Sequence, residues 1–348
     1  MDRQPTHKDV TISRRRIESL RQPKVKLDPF RPVAVIHEFE ATGRSSHLYN
    51  TSNPSKSDYI TPPVAAVTSV FLTGAECVFR CTMCDLWKHT LDTPTPPGAI
   101  PTQIDIALQD AARRDEQGCQ SPQWIKLYNS SNFFDPRCVP PEDWDAIATL
   151  VTDFDRVIVE NHPRLVDSQV GRFAEKISGK LEAAMGLETV YEPSIRLLNK
   201  QMTLDDFERA ANALSAMSVD LRVFILLQPP GMPAELAVEG VVDSLRFAEH
   251  CGARHASVIA TRGGNGMMER FSLDGTFRAP NAFSLERCFD RALTSDLAMV
   301  ITVDLWEFEK LAGLCESCVG LRRQRLSSMN LSQSILPPCE LTCGCCDG

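Results

Sequence analysis

The sequence predicts an α/β protein whose core is a partial (β/α)6 TIM-like barrel, carrying an N-terminal extension and a cysteine-rich C-terminal tail. Three observations predict it. Val64-Ala-Ala-Val-Thr-Ser-Val-Phe-Leu-Thr-Gly74 is a near-continuous apolar, β-branched run, the texture of a strand buried on both faces. Strand candidates and helical stretches then alternate about seven times, which calls for βαβ units with crossover helices on the outer face. The chain has 348 residues, 43% hydrophobic and 24% charged, enough for one barrel with appendages.

In chain order, residues 1–60 are a polar extension with one ordered stretch at 32–40 and a Ser-Asn-Pro-Ser-Lys-Ser-Asp linker at 52–58. Residues 1–26 hold eight Lys/Arg against three Asp/Glu, so this arm is +5 while the remaining chain is −13. The acidic body offers no nucleic-acid footprint, and the arm reads as a solvated tail.

The barrel occupies 61–310. After the strand at 64–74, a helix begins at Thr102, whose hydroxyl and Asp105 form a capping box. Strands at 124–128, 155–160, 181–188, 219–227, 256–260 and 297–303 alternate with helices at 141–152, 167–178, 203–217, 234–250 and 284–294. The helix at 203–217 is the clearest: Thr203 and Asp206 cap it, and Leu204, Phe207, Ala211, Leu214 and Met217 recur at helical spacing. Residues 311–348 are the cysteine-rich segment.

No apolar run approaches the roughly 20 residues that span a bilayer, and the N-terminus lacks an apolar signal core. A cytoplasmic protein with no membrane partner is expected. Thirteen cysteines, an odd number, read as thiolates kept reduced for metal rather than as a disulfide framework.

In a barrel, chemistry sits just after each strand. Directly after the first comes Cys77-Val-Phe-Arg-Cys81-Thr-Met-Cys84, a CxxxCxxC spacing that arises by chance in roughly 2% of chains of this cysteine content. Three thiolates on a tight loop suit three irons of a 4Fe-4S cubane and leave the fourth open, whereas structural zinc closes with four protein ligands. An open iron can chelate an amino group and a carboxylate.

With this loop, the sequence resembles the radical S-adenosylmethionine (SAM) superfamily. The resemblance implies that Cys77, Cys81 and Cys84 ligate the 4Fe-4S cluster, that SAM binds the fourth iron, and that reductive cleavage yields a 5′-deoxyadenosyl radical. It implies a reducing partner such as flavodoxin or ferredoxin. Met83 matches the hydrophobic position that lies against the adenine. At the second strand end, where many members carry Gly-Gly-Glu, stands Asn129-Ser-Ser-Asn132; Asn129 and Ser130 replace that motif as cosubstrate contacts. Gly186-Leu-Glu188-Thr189 looks like the segment of the elongator-type and methylthiotransferase branch that touches SAM, with Glu188 on the ribose. Leu127-Tyr-Asn-Ser-Ser-Asn-Phe-Phe-Asp135, Leu226-Leu-Gln-Pro-Pro230 and Phe277-Arg-Ala-Pro280 are similar to the radical SAM subunit of archaeosine synthase and its uncharacterised relatives. His162, after Glu160-Asn161, is read as a loop histidine rather than a proton donor.

The last 34 residues hold six of the thirteen cysteines. Cys315, Cys318, Cys339 and Cys343 imply a second iron–sulfur cluster or a tetrahedral zinc site, and the spacing alone leaves both open. Three functions are compatible with the whole: radical SAM modification of tRNA or other RNA, radical SAM chemistry on a small metabolite or peptide, and a non-catalytic metal-stabilised binding protein.

Overall fold

The computed structural model describes residues 12, 14–44, 46–48, 58–60, 62–339 and 343. Residues 1–11 and 13 of the basic arm, 52–57 of the linker, Cys345 and Cys346 lie outside the described residues.

A short helix, α1 (Arg14–Ser19), precedes β1 (Ala34–Ala41), the ribbon of β2 (Ser46–Leu48) and β3 (Asp58–Ile60), and β4 (Val64–Phe71). The barrel continues through α2 (Ala99–Glu116), β5 (Trp124–Tyr128), α3 (Trp144–Leu150), β6 (Arg156–Glu160), α4 (Ser168–Ala174) and β7 (Lys180–Glu188). Then come α5 (Glu192–Leu198), α6 (Leu204–Ala216), β8 (Asp220–Leu227), α7 (Ala237–His250), β9 (Ala253–Ala260), α8 (Met267–Leu273), α9 (Ala282–Leu293), β10 (Val300–Val303) and α10 (Glu316–Ser332).

β4 to β10 lie side by side in chain order, each parallel to the next, and β1 adds antiparallel to β4, giving a curled eight-stranded half-barrel. The seven parallel strands expected are present, the last of them, β10, falling within 297–303, and β1 adds an antiparallel edge. Outward residues such as Ile125, Leu127, Val157, Val159, Val223 and Ile225 pack under the helices in one apolar core.

Neighbouring residues on the same strands point inward, and many are charged. Arg222, 2% exposed, donates to Glu40 at 2.7 and 2.8 Å and to Glu182 at 2.7 Å. Arg156 and Arg254 also reach Glu182, at 2.8 and 2.7 Å, and Lys126 pairs with Glu38 and Glu40 at 2.7 Å. This ion plug fills the amino-terminal half of the barrel. Toward the carboxyl ends, Tyr128 meets Phe71 and Phe224 edge-on, each at 6.2 Å between centroids. An aromatic floor thus separates the plug from the mouth.

Two elements differ from expectation. α2 starts at Ala99, after Gly98 in the left-handed conformation (φ 79°), and the Thr102 hydroxyl donates back to the Gly98 carbonyl instead of capping. The C-terminal segment contains a 17-residue helix, α10. Its buried side includes Arg322 and Arg325, which pair with Glu286 and Asp290 on α9 at 2.6 and 2.8 Å, so its inner face does not read as apolar.

Candidate metal centre

Residues 72–84 leave the end of β4 across the barrel mouth. Thr82 holds the loop to the end of α5: its N–H donates to Leu198 O at 2.9 Å and its hydroxyl to Leu197 O at 2.7 Å. Asn199 donates to Arg80 O and Asn265 to Thr82 O, both at 2.8 Å. Asn132 donates its amide to Cys77 Sγ at 3.1 Å. Cys77, Cys81 and Cys84 are each half-buried. The enclosing protein raises all three thiols, Cys81 up to about 12 and Cys84 further, so without metal they are neutral and metal binding displaces their protons. Cys138 is turned inward: its sulfur lies 2.9 Å from Ser131 Oγ and 3.3 Å from Ala75 O.

The basic arm contributes here. Glu76, one residue before Cys77, accepts from Arg21 and Lys24 at 2.6 Å each, and Arg80 pairs with Glu18 at 3.1 Å. Ile12 and Ile17 are buried against Met267, Met268, Phe271 and Phe277, and Met83 packs on the same cluster. Residues 14–26 are therefore not the solvated tail expected, because Glu76 supplies a half-buried anion for their cations and α8 supplies an apolar seat for Ile17.

The strand ends supply polar groups. Asn129 is fully buried, and neither its amide nitrogen nor its oxygen has a hydrogen-bond partner among the described residues. Such a group costs about 1–3 kcal/mol unless something absent satisfies it. Ser130 sits at φ 54°, a strained position for a non-glycine residue, and its N–H donates to Glu160 at 3.1 Å. Burial pushes the Glu160 carboxyl up to about 7 despite that bond. Sequence reasoning passed over Glu160, although its place at the end of β6 was the signal.

Glu188, at φ 66°, forms a buried ion pair with Lys200. A side chain at Gly186 would strike both partners, which explains a glycine two residues before the carboxylate. His162 stacks on Phe79 at 3.7 Å; its Nδ1 accepts from Arg164 N–H at 3.2 Å, so Nε2–H donates to Lys200 O at 3.0 Å. Burial and the nearby Lys200 lower its pKa to about 3, and it is a structural loop histidine.

Three of the C-terminal cysteines also meet. The sulfurs of Cys315, Cys318 and Cys343 lie within 4.8 Å of one another, and Cys339 is not part of that group.

The donor set fits a three-thiolate cluster with a chelated cosubstrate: three thiols on one loop, a hydrogen bond to one sulfur, and an unsatisfied amide beside them. No protein-family model matches the chain. Over 172 residues it is 30% identical to the archaeosine synthase subunit beta of Methanosarcina acetivorans, covering 47% of this chain and 48% of that protein. It is 24% identical over 225 residues to an uncharacterised protein of Methanocaldococcus jannaschii, covering 61% of this chain and 60% of that one. Methylornithine synthase is a solved structure with 14% identity and a TM-score of 0.46, covering 76% of this chain and 71% of its own. The chain spans about half the length of the archaeosine synthase subunits it matches. Over about half of its length, then, the chain is similar to archaeosine synthase beta subunits, and its three-cysteine loop stands at the mouth of a half-barrel.

Proposed function

We propose that Cys77, Cys81 and Cys84 hold a 4Fe-4S cluster, that SAM binds beside it, and that the protein starts radical chemistry on a nucleoside in RNA, with tRNA as the class of substrate. When bound, the cluster supplies the electron that splits SAM into methionine and a 5′-deoxyadenosyl radical. The observation that carries the reading is the pairing of that cysteine loop with the unsatisfied Asn129 amide.

The chain's own groups divide the work. The Asn129 amide offers a donor and an acceptor to the amino-acid end of SAM, and Glu160 offers an adjoining carboxylate. Ser130 orients Glu160 through its backbone N–H. Met83, in the cysteine loop, would offer its side chain to the adenine, and Glu188 would reach the ribose only by sharing its carboxylate with Lys200. The aromatic rings of Phe71, Tyr128 and Phe224 lie between the ion plug and the mouth. Arg14, Arg15 and Arg16 stand exposed on α1, over the cysteine loop, where phosphates of a bound RNA would lie. A reduced flavodoxin or ferredoxin is the class of electron donor.

The test is anaerobic reconstitution with iron and sulfide, followed by SAM and dithionite. Formation of 5′-deoxyadenosine, lost in Cys81→Ser and weakened in Asn129→Ala, is expected. Protein carrying about four irons that releases none of it sinks the proposal. RNA co-purifying with the protein, bound with an affinity that falls as salt rises, is expected for the RNA arm of the reading.

A further inference from the structure

We infer that Cys315, Cys318, Cys339 and Cys343 form a single-ion tetrahedral zinc site that staples the C-terminal tail to α10, rather than a second iron–sulfur cluster. This goes beyond the reading above and does not rest on it.

The spacing of the sulfurs decides between the two. In a tetrahedron with Zn–S of about 2.3 Å, the sulfurs stand about 3.8 Å apart. Cys315 Sγ and Cys318 Sγ are 3.7 Å apart, and Cys343 joins them within 4.8 Å. Thiolates on the corners of a cubane bind different irons and spread wider. The contrast is internal to the molecule: among the described residues, Cys77, Cys81 and Cys84 do not converge within that limit, whereas Cys315, Cys318 and Cys343 do, with Cys339 left as the fourth thiol to be drawn in by the ion.

The local backbone is built to hold an ion. Cys315 is the N-cap of α10 and Cys318 its third residue, and the Cys315 N–H donates to Cys318 Sγ at 3.3 Å. Amide hydrogens and the positive end of a 17-residue helix both favour thiolates there. After α10 the chain turns at Gln333 (φ 51°) and runs back along the helix it has just left. Arg325 donates to the carbonyls of Leu336 and Pro337 at 2.8–3.1 Å, which steers the tail toward the start of α10. Cys343 closes the group with Cys315 and Cys318, and Cys339, two residues after the Pro337 carbonyl that Arg325 holds, is the remaining thiol on that returning segment. A segment this short has no core of its own, so the ion supplies the cross-link.

Metal analysis of the full chain, purified without oxygen, tests the inference. About one zinc and about four irons per chain are expected. Cys318→Ser and, on the tail, Cys343→Ser each lose the zinc and keep the iron, while the Cys77→Ser, Cys81→Ser, Cys84→Ser triple variant does the reverse. Cys343→Ser also exposes the tail beyond Gln333 to protease while the barrel stays intact, which separates zinc loss from misfolding. About eight irons with no zinc, or zinc retained in both C-terminal variants, overturns it.

Discussion

Asn132 donates its side-chain amide to the sulfur of Cys77, joining the end of the second parallel strand to the cysteine loop. Hydrogen bonds to cluster sulfurs stabilise the reduced, more negative state and raise the potential. Replacing Asn132 with Ala removes one bond worth about 1 kcal/mol, or a few tens of millivolts for one electron. A redox titration followed by electron paramagnetic resonance is expected to show a more negative midpoint at unchanged iron content. An unmoved midpoint would mean that the bond serves only the loop.

Gly186 faces the Glu188–Lys200 pair, and a methyl group there collides with both charged ends. Both charged ends must shift together to make room. Gly186→Ala is expected to cost about 1–3 kcal/mol and to weaken SAM binding together with stability. Thermal melting and equilibrium dialysis with SAM read the two effects separately.

The ion plug has its own pH signature. Burial opposes charge on Glu182, but Arg222, Arg254 and Arg156 hold its pKa down to about 2. Because that value lies below the unfolded one, the stabilisation is present above about pH 4.3 and fades as pH falls toward 2. Arg222→Leu leaves Glu40 and Glu182 without their shared partner, at a cost of about 3–5 kcal/mol at neutral pH. In the variant those carboxyls take up protons on burial, so the difference from the wild type narrows as pH drops. Urea titrations from pH 8 to pH 4 measure that convergence.

Glu76 gathers Arg21 and Lys24 and faces Arg80 at 3.2 Å. Although burial opposes its charge, Lys24 and Arg21 keep its pKa below the ordinary carboxylate range, so the clasp loosens only in acid. Glu76→Ala should free residues 14–26 and expose Arg21 and Lys24 to trypsin about tenfold faster, the equivalent of about 1.4 kcal/mol. Timed digestion with mass spectrometry gives the ratio, and equal rates would mean that the apolar seat of Ile12 and Ile17 holds the arm alone.

The sequence carried the barrel because its outer core is written in long β-branched runs and its α6 cap in the Thr203–Asp206 pair, both local signals. It also carried the three-cysteine loop, since that spacing needs no tertiary information. The rest depends on distant partners. Lys126 and Arg222 look like interruptions of strands until Glu40, 182 residues from Arg222, is seen to meet them. α10 was hidden because its inner face is arginine, and the role of the basic arm because Glu76 lies 55 residues from Arg21.

The same logic of distant pairing closes the open edge of the sheet. Asn330 accepts from Val303 N–H at 2.8 Å and donates to Val303 O at 2.9 Å, and Gln333 does the same for Ile301 at 2.9 and 2.8 Å. Two side-chain amides at the end of α10 thus take the place of a neighbouring strand for β10. An unpaired edge invites association with another chain, and a side-chain amide, like a backbone peptide, offers it a separate donor and acceptor. Asn330→Ala with Gln333→Ala leaves four backbone groups to find water, at about 2–4 kcal/mol for the pair of changes. Hydrogen exchange is expected to quicken at the amides of Ile301 and Val303 while those of β7 and β8 stay protected, and light scattering should rise on warming. Unchanged exchange at 301 and 303 would show that the edge is guarded by the apolar contacts of α10, among them Leu326 and Met329, and not by its amides.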